Sequence, residues 1–279
     1  MSLGKAKVLN ILDAGMVGHS DVPDWSFIYK VSTVKDPKWN VGDRFVTGDG
    51  RVFRYAKAYT AGVLSGFGAC NRNKVNISVL APAQTAGCGA IGDRKVVITI
   101  ASGDGIAADG VVAADELKGG YIVLNNQGSS PMNRCILGNT AVASGGGTTI
   151  VTLDGPLTAA LVVGVGYTEI LPSPYNLMEV GGGSGLLEYQ SFLGVPVATA
   201  TVGQYFWLQT WGPAFVTPGG STSPGDSAND RSVYFVGDGS INGGAHVTDE
   251  NGYQLAGFCM EQTASAAGGP PFVMLQISI

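Results

Sequence analysis

The pattern of apolar and polar positions predicts many short strands and very little helix. Short apolar and β-branched runs alternate with turns that are rich in glycine, proline, asparagine and aspartate. The densest run is Thr201–Gly219, where five aromatic side chains stand close together before a Pro-Gly pair. We interpret this run as a hairpin inside a β core. The predicted class is all-β, with a β-sandwich or barrel-like body of short strands.

The clearest local prediction is a hairpin within Val41–Lys57. Its strands, Arg44–Thr47 and Arg51–Ala56, flank Gly48-Asp49-Gly50, whose residues tolerate a positive φ. One or two helical turns are expected over Ala56–Leu64. Residues 41–80 therefore form the second of three predicted parts.

The third part, residues 81–279, is predicted as a β-rich body with a division into two subdomains near residues 181–185. Within it, Val96–Ile100 is expected to be buried on both faces. A short helix is expected at Ala113–Leu117, an exposed loop at Gly219–Arg231 and a tight turn at Asn251-Gly252. The remaining predicted strands are Lys74–Leu80, Arg94–Ala101, Gly120–Asn126, Thr148–Leu153, Leu161–Leu171, Ser232–Val236, Ala245–Thr248, Tyr253–Met260 and Phe272–Ile279.

Residues 1–40 lack a regular period and are predicted to form an extended N-terminal arm. One short strand is expected over Phe27–Val34. We expect Trp25 and Trp39 to be buried against another surface, because burial of a large aromatic ring contributes a large favourable free energy. Either the chain's own domain or a neighbouring subunit fits this requirement, and the sequence leaves both open.

The amino-acid composition indicates a protein whose surface is partly covered by a partner. Glycine is 43 of 279 residues without a Gly-X-Y period, which excludes collagen and fits tight turns between strands. Charged residues are 13% of the chain and mean hydropathy is +0.21. We expect a partner to cover part of so apolar a surface.

The net charge of −5 hides an asymmetry along the chain. Residues 1–60 hold nine Lys/Arg and six Asp/Glu, whereas the rest holds seven and fifteen. One interpretation is simply an acidic, soluble body. The other is an N-terminal part that contacts an acidic surface. An acidic body is a poor partner for nucleic acid, and no apolar run is long enough to span a membrane.

Candidate chemistry is sparse. His19 and His246 lack partners at metal-ligand spacing, and no Gly-x-Ser-x-Gly elbow occurs. The four cysteines are isolated, which favours ordinary buried thiols. Paired carboxylates of a glycosidase stay open, because they converge only in three dimensions. We therefore predict no enzyme, no catalytic or metal residues and no cofactor, and no secretion signal is visible, so we expect cytoplasmic synthesis.

A set of markers in order along most of the chain resembles virion structural proteins of tailed bacteriophages, most closely the capsid decoration, or cement, proteins. None of the markers is a catalytic signature. They are Gly42–Phe45 with Gly50–Ala58, Leu157–Ala160 with Leu171–Tyr175, Gly203–Ala214, Asn251–Tyr253 and Phe272–Ile277.

The resemblance implies β-rich subunits on the outer capsid surface that bridge neighbouring major capsid proteins. It also implies self-association, as a trimer more often than a dimer, with no nucleic acid or membrane partner. We expect the arm to contact the shell or a sister subunit through Trp25, Trp39, Arg44, Arg51 and Arg54. Another virion role, such as a tail or receptor-binding protein, is the alternative.

Overall fold

The fold is all-β, as the sequence predicts. A computed structural model describes residues 25–71, 77–80, 88–105, 109–125, 131–143, 145–161, 167–181, 191–219, 224, 231–244, 253–261 and 271–278. Strands make up 47% of it, and no helix of the described part reaches seven residues. The sheets are antiparallel and curl into half-barrels.

The strands follow the short apolar runs of the sequence, after a 3-10 helix at Ser26–Tyr29. In chain order they are β1 (Arg44–Val46), β2 (Val52–Lys57), β3 (Ala69–Asn71), β4 (Ile77–Leu80), β5 (Lys95–Ile100), β6 (Tyr121–Asn125), β7 (Met132–Asn139), β8 (Gly147–Leu153), β9 (Tyr167–Leu171), β10 (Met178–Val180), β11 (Phe192–Pro196), β12 (Tyr205–Phe215), β13 (Ser232–Phe235), β14 (Ile241–Gly243), β15 (Leu255–Glu261) and β16 (Phe272–Gln276). The predicted hairpin within Val41–Lys57 is confirmed as β1 and β2, which pair antiparallel.

The described residues form two compact units, each assembled from separate stretches of the chain. The predicted segments 1–40, 41–80 and 81–279 are contiguous, so they do not correspond one to one with these units. In each unit, antiparallel pairing holds together strands that are distant in sequence. Unit 1 takes the described residues of Met1–Lys35, Arg44–Arg72 and Met178–Ile279, and unit 2 those of Asp36–Asp43 and Asn73–Leu177.

Unit 1 is built on a ten-stranded sheet. Its order is β10-β3-β11-β12-β16-β15-β13-β14, and the β1–β2 hairpin joins it because β2 pairs with β12. An apolar core covers one side of the sheet, where Phe235, Val273 and Leu275 are almost fully buried. Burial of each such side chain contributes roughly 1.5–3 kcal/mol.

Unit 2 is built on a six-stranded sheet with the order β4-β9-β6-β7-β8-β5. Its edge strands β4 and β5 approach each other, so the sheet curls toward closure. Inward-facing aliphatic side chains such as Ile98, Ile122 and Ile170 fill the interior. In the run Val96–Ile100 only Thr99 is exposed, so the predicted burial on both faces is nearly complete.

The aromatic run predicted as a hairpin is a single strand, so that prediction is wrong. β12 continues through Gly212-Pro213 to Phe215. β2 pairs along one edge of it, and β11 and then β16 pair along the other. Gly212 has a φ of 93°, and the register with β2 shifts between Gln209 and Trp211. The bulge therefore lies at Thr210, just before the glycine–proline pair, and the pair itself stays within the strand because it pairs with β16.

The strand predicted over Phe27–Val34 is also replaced. Its first residues belong to the 3-10 helix, in which the Ile28 N–H donates to the Trp25 carbonyl at 3.1 Å. Only Ser32 pairs in extended form, as an isolated bridge with Tyr205. The tight turn places the side chain of Ile28 in the interior, where it is buried.

No helical turns form over Ala56–Leu64. β2 extends to Lys57, and turns then connect two isolated bridges, Ala58 with Met178 and Val63 with Ala200. These bridges satisfy backbone groups through distant strands, which a local helical pattern in the sequence does not reveal.

The short helix predicted at Ala113–Leu117 is a series of turns. Asp115 has a φ of 58°, in the left-handed region, and is the only non-glycine residue of the described chain with a positive φ. An α-helix does not continue through such a residue. The amide of Asn139 holds the segment instead, because its Oδ1 accepts the Leu117 N–H at 2.9 Å and its Nδ2 donates to the Ala113 carbonyl at 2.9 Å.

The repeated string Gly-Asp-Arg, at residues 42–44 and 92–94, marks one kind of turn that precedes a strand. In this turn the backbone N–H of the first residue donates to the side chain of the fourth, whose own N–H returns a hydrogen bond to the first carbonyl. The third residue is a glycine with positive φ. The turns Asn40–Asp43 and Ala90–Asp93 overlap the string. The turn Thr201–Gln204 has the same hydrogen bonds without it. A local device of turn chemistry thus explains the repeat without a duplication.

Several predicted elements lie outside the described residues. They are the turn Asn251-Gly252, the strand Ala245–Thr248, most of the loop Gly219–Arg231, the boundary at residues 182–185, and both histidines.

One glycine of β15 allows two strands to approach closely. Gly257 has a φ of 150°, and a β-carbon there would collide with the carbonyl oxygen of Met274 on β16. We predict that Gly257→Ala lowers the free energy of unfolding of unit 1 by the left-handed strain of about 1–2 kcal/mol plus roughly 1–3 kcal/mol for the clash. The measurement is chemical denaturation.

The matched control is Gly50→Ala, in the turn between β1 and β2. Gly50 has a φ of 86° but no neighbour within 4 Å of an added β-carbon, so it isolates the backbone strain. Equal losses for the two variants would contradict the proposed clash.

Candidate functional site

The β1–β2 hairpin carries three of the five residues expected to make contacts, and its turn is closely held. Asp49 accepts a hydrogen bond from the Thr47 hydroxyl, and its Oδ2 forms an ion pair with Arg51 Nε at 2.8 Å. The Thr47 N–H donates to the Arg51 carbonyl at 3.0 Å, and the Gly50 N–H donates to the Thr47 carbonyl at 3.0 Å. The turn therefore fixes the position of Arg51.

The carboxyl group of Asp49 titrates under two opposing influences. Partial burial raises its pKa, but the hydrogen bonds from Thr47 and Arg51 and the guanidinium charge of Arg51 together outweigh burial. The pKa of Asp49 is therefore lowered, and its ionised form stabilises the folded turn.

One face of the hairpin contacts an aromatic cluster, formed by Phe27, Phe45, Phe53, Tyr55 and Trp207. Phe27 meets Phe45 edge-on at 4.9 Å and Trp207 at 5.7 Å between ring centroids. Tyr55 lies 5.2 Å from Trp207, which is almost fully buried. Such ring pairs add about 0.5–1.5 kcal/mol each beyond their area burial, so the cluster is a firm support for the hairpin.

Two cations flank this cluster. Arg51 Cζ lies 5.7 Å from the centroid of Phe53, and Lys57 Nζ lies 5.5 Å from the centroid of Tyr205. Both distances fall within the range of a cation–π interaction. The rings thus hold both cationic side chains near the surface of the hairpin.

The opposite face of the hairpin carries Arg44 and Arg54. They are cross-strand partners in register, with Arg44 exposed and Arg54 half-buried beside Leu208 of β12. Like charges directly opposite on a sheet are unfavourable for folding. This arrangement therefore suits the binding of a negatively charged or acceptor-rich surface better than it suits the stability of the hairpin.

The two tryptophans of the predicted arm belong to different units. Trp25 precedes the 3-10 helix of unit 1, whereas Trp39 lies in the Asp36–Asp43 stretch of unit 2, and both are half-buried. The next residues of the arm, Phe27 and Ile28, pack within unit 1. Phe27 and Ile28 are thus covered by the chain's own domain, whereas both interpretations stay open for the exposed parts of Trp25 and Trp39. Of the three predicted arginines, Arg44 and Arg54 lie together on one face of the β1–β2 hairpin, and Arg51 lies on its other face.

All four thiols are free; Cys70 and Cys88 are buried, as the sequence predicts, whereas Cys135 and Cys259 are half-buried. Burial, with the nearby charge of Glu179, raises the pKa of Cys70 to about 11. Burial and the charge of Asp154 likewise raise the pKa of Cys135. Both are therefore protonated at neutral pH and poor nucleophiles.

A further surface was not predicted from the sequence. Five large apolar side chains are exposed on neighbouring strands of unit 1, and we call them the outer apolar face: Phe215 on β12, Phe272 on β16, and Leu255, Phe258 and Met260 on β15. In the strand Phe272–Gln276, successive side chains point to opposite faces of the sheet, and both faces carry apolar residues. The sequence alone therefore does not tell which of the two faces is buried.

The described residues offer little for metal chemistry. In that part of the chain no group of three or more His, Cys, Asp or Glu side chains is arranged to hold a metal ion. The same described residues include no helix that is long and apolar enough to cross a membrane.

The Asp49 turn gives a prediction about pH. A lowered pKa means that the stabilisation is present above the unfolded-state pKa and is lost as pH falls through the folded-state value. We therefore expect Asp49→Asn to destabilise unit 1 at pH 7, by at most about 1 kcal/mol because the pair is partly exposed. The difference from the parent protein should shrink below about pH 4. Denaturation curves across pH 3–7 measure it, and a difference that is constant over this range would contradict the assignment.

Comparison of the chain with protein-family models, with curated proteins and with solved structures finds no match.

Proposed function

We propose that this chain is a non-enzymatic capsid decoration protein of a tailed bacteriophage, which binds the outer surface of the head and bridges neighbouring major capsid proteins. The observation that carries the proposal is the β1–β2 hairpin, in which Arg44, Arg51 and Arg54 are concentrated on one firmly packed element. The rest of the chain is acidic by comparison, with seven basic and fifteen acidic residues after residue 60.

The chemistry of the hairpin supports this role. Guanidinium groups donate several hydrogen bonds in a fixed planar geometry and match carboxylates well. Arg44 and Arg54 lie side by side, so two acceptors spaced like neighbouring strands can be bound together. A rigid hairpin also loses little conformational entropy on binding.

A decoration protein has no need of reactive groups. Such a protein needs stiff walls and contact area, and symmetry repeats each modest contact many times over the shell. Avidity then gives firm attachment from individually weak sites. The two sheets supply stiff walls, and the thiols with raised pKa supply no nucleophile.

The proposal predicts an electrostatic contact with the capsid. In a co-sedimentation assay with expanded empty capsids, assembled from the major capsid protein of the same genome, the protein should pellet in stoichiometric amounts. Arg44→Glu should weaken binding at least tenfold, since truncating or reversing a buried interfacial charge costs about 2–5 kcal/mol. Binding of the parent protein should also weaken as salt rises.

The matched control is Lys95→Glu. Lys95, like Arg44, is the exposed first residue of a strand, but it belongs to β5 of unit 2. The Lys95→Glu substitution should leave binding to the capsids unchanged. A parent protein that stays in the supernatant at low salt would overturn the proposal and favour the tail or receptor-binding alternative.

A further inference from the structure

The sheet of unit 1 is apolar on both faces where β12, β16, β15 and β13 lie side by side. An antiparallel sheet with one wet face normally alternates apolar and polar residues. Here the inner positions form the core, with Val273 and Leu275 buried. The outer positions of the same strand are Phe272, Met274 and Gln276, so two of its three outward side chains are apolar. Such a face is typical of a surface that another protein surface covers.

The strand register joins the outer side chains into one continuous surface. Phe215 of β12 stands opposite Phe272 of β16, and Pro213 stands opposite Met274. Met274 in turn stands opposite Phe258 of β15. Cross-strand partners lie about 4.5–5.5 Å apart between β-carbons, so these rings and thioether chains adjoin.

The area is appropriate for a specific interface. The five side chains of the outer apolar face are 42–49% exposed, which leaves roughly 300–600 Å² in total if each full side chain presents about 150–250 Å². A standard interface buries about 800 Å² on each partner. The half-buried Trp211, Met274 and Tyr234 on the same side supply further area. The face therefore provides most of what one partner in a stable dimer needs.

The charge of the face narrows the choice of occupant. Among its outer positions on β12, β16, β15 and β13 that the structure describes, only Glu261 carries a formal charge, at the edge opposite Phe272. A charged or anionic surface finds no complementary group there. Homodimer interfaces, in contrast, are more apolar and depleted in charge at their centre. The face is complementary to its own copy.

Two of the neighbouring connections lack side chains of sufficient size to cover it. The sequence between β15 and β16, residues 262–270, contains no apolar side chain larger than alanine or proline, and the same holds for residues 220–230. Five large apolar groups need partners of similar size to displace water.

We propose that two copies of this chain pair face to face through the outer apolar face. A single patch that contacts itself gives a closed two-fold dimer. The two sheets would pack about 10 Å apart with interdigitating side chains, as in a β-sandwich. Phe258, Met274 and Phe272 form the centre of this contact. The pairing does not depend on the capsid proposal, because it uses neither the hairpin nor a capsid.

The oligomeric state of the full chain tests this pairing. Sedimentation equilibrium at about 1–100 μM should give twice the chain mass of 28.6 kDa. Phe258→Glu and Phe272→Glu should each raise the dimer dissociation constant at least tenfold, with an unchanged circular dichroism spectrum. The control is Tyr121→Glu, a 50% exposed aromatic position on β6 of unit 2, which should leave the dimer intact. A monomer at all concentrations, or a trimer, would overturn the two-fold pairing.

Cross-linking identifies the occupant directly. A photoreactive benzophenone side chain in place of Phe258 should yield covalent dimers whose cross-linked peptides come from β15 or β16 of the second copy. The same group in place of Tyr121 should not. Cross-links within one chain, for example to residues 1–24, would show that the chain covers its own face and would overturn the proposal.

Discussion

Strand β12 is the element on which the rest of unit 1 depends. It pairs with β2 on one edge and with β11 and β16 on the other, so the removal of this one strand would separate the hairpin from the sheet. From Phe206 to Thr210 every residue is buried, and both faces of the strand are covered. Each large side chain enclosed there contributes roughly 1.5–3 kcal/mol. The burial of this short stretch therefore fixes the positions of the strands around it.

The two surfaces of interest arise from the two halves of this strand. Its first half lies against the aromatic cluster, in which Trp207 contacts Tyr55 and Phe45 and thereby supports the β1–β2 hairpin. Its second half, beyond the bulge between Gln209 and Trp211, is covered on one face only and exposes Phe215. The bulge is thus the point where β12 passes from interior strand to surface strand. One surface that results is cationic and the other is apolar.

Local chemistry made part of this structure predictable. The hairpin at Val41–Lys57 follows from a Gly-Asp-Gly turn between β-rich runs, and its contacts span only a few residues. The arginines on it were accordingly found by sequence reasoning. The interpretation of Thr201–Gly219 as a hairpin failed because Gly212-Pro213 has the composition of a turn, whereas the pairing with distant β2 and β16 keeps it extended. Non-local pairing overrides a local signal of this kind.

The outer apolar face was missed for a different reason. Period-2 alternation states which residues share a face but not which face is covered. Leu255, Phe258 and Phe272 look like core residues in the sequence, and the identity of the buried side is decided by the order of strands around β16. The division into two units was hidden in the same way, since residues 73–177 separate β3 from β10, its partner in unit 1.

Solution conditions act differently on contacts made through the two surfaces. Attraction between arginines and an acidic surface weakens as salt screens it, over about 10 Å at 0.1 M. Apolar contact does not weaken in this way, and salts excluded from protein surfaces strengthen it. In the proposed assembly, an ionic contact from the hairpin would be made and lost while the dimer through Phe258 and Phe272 persists. A dimer that presents two such hairpins would bind a repetitive surface at two points, so a weak ionic contact would suffice for firm attachment.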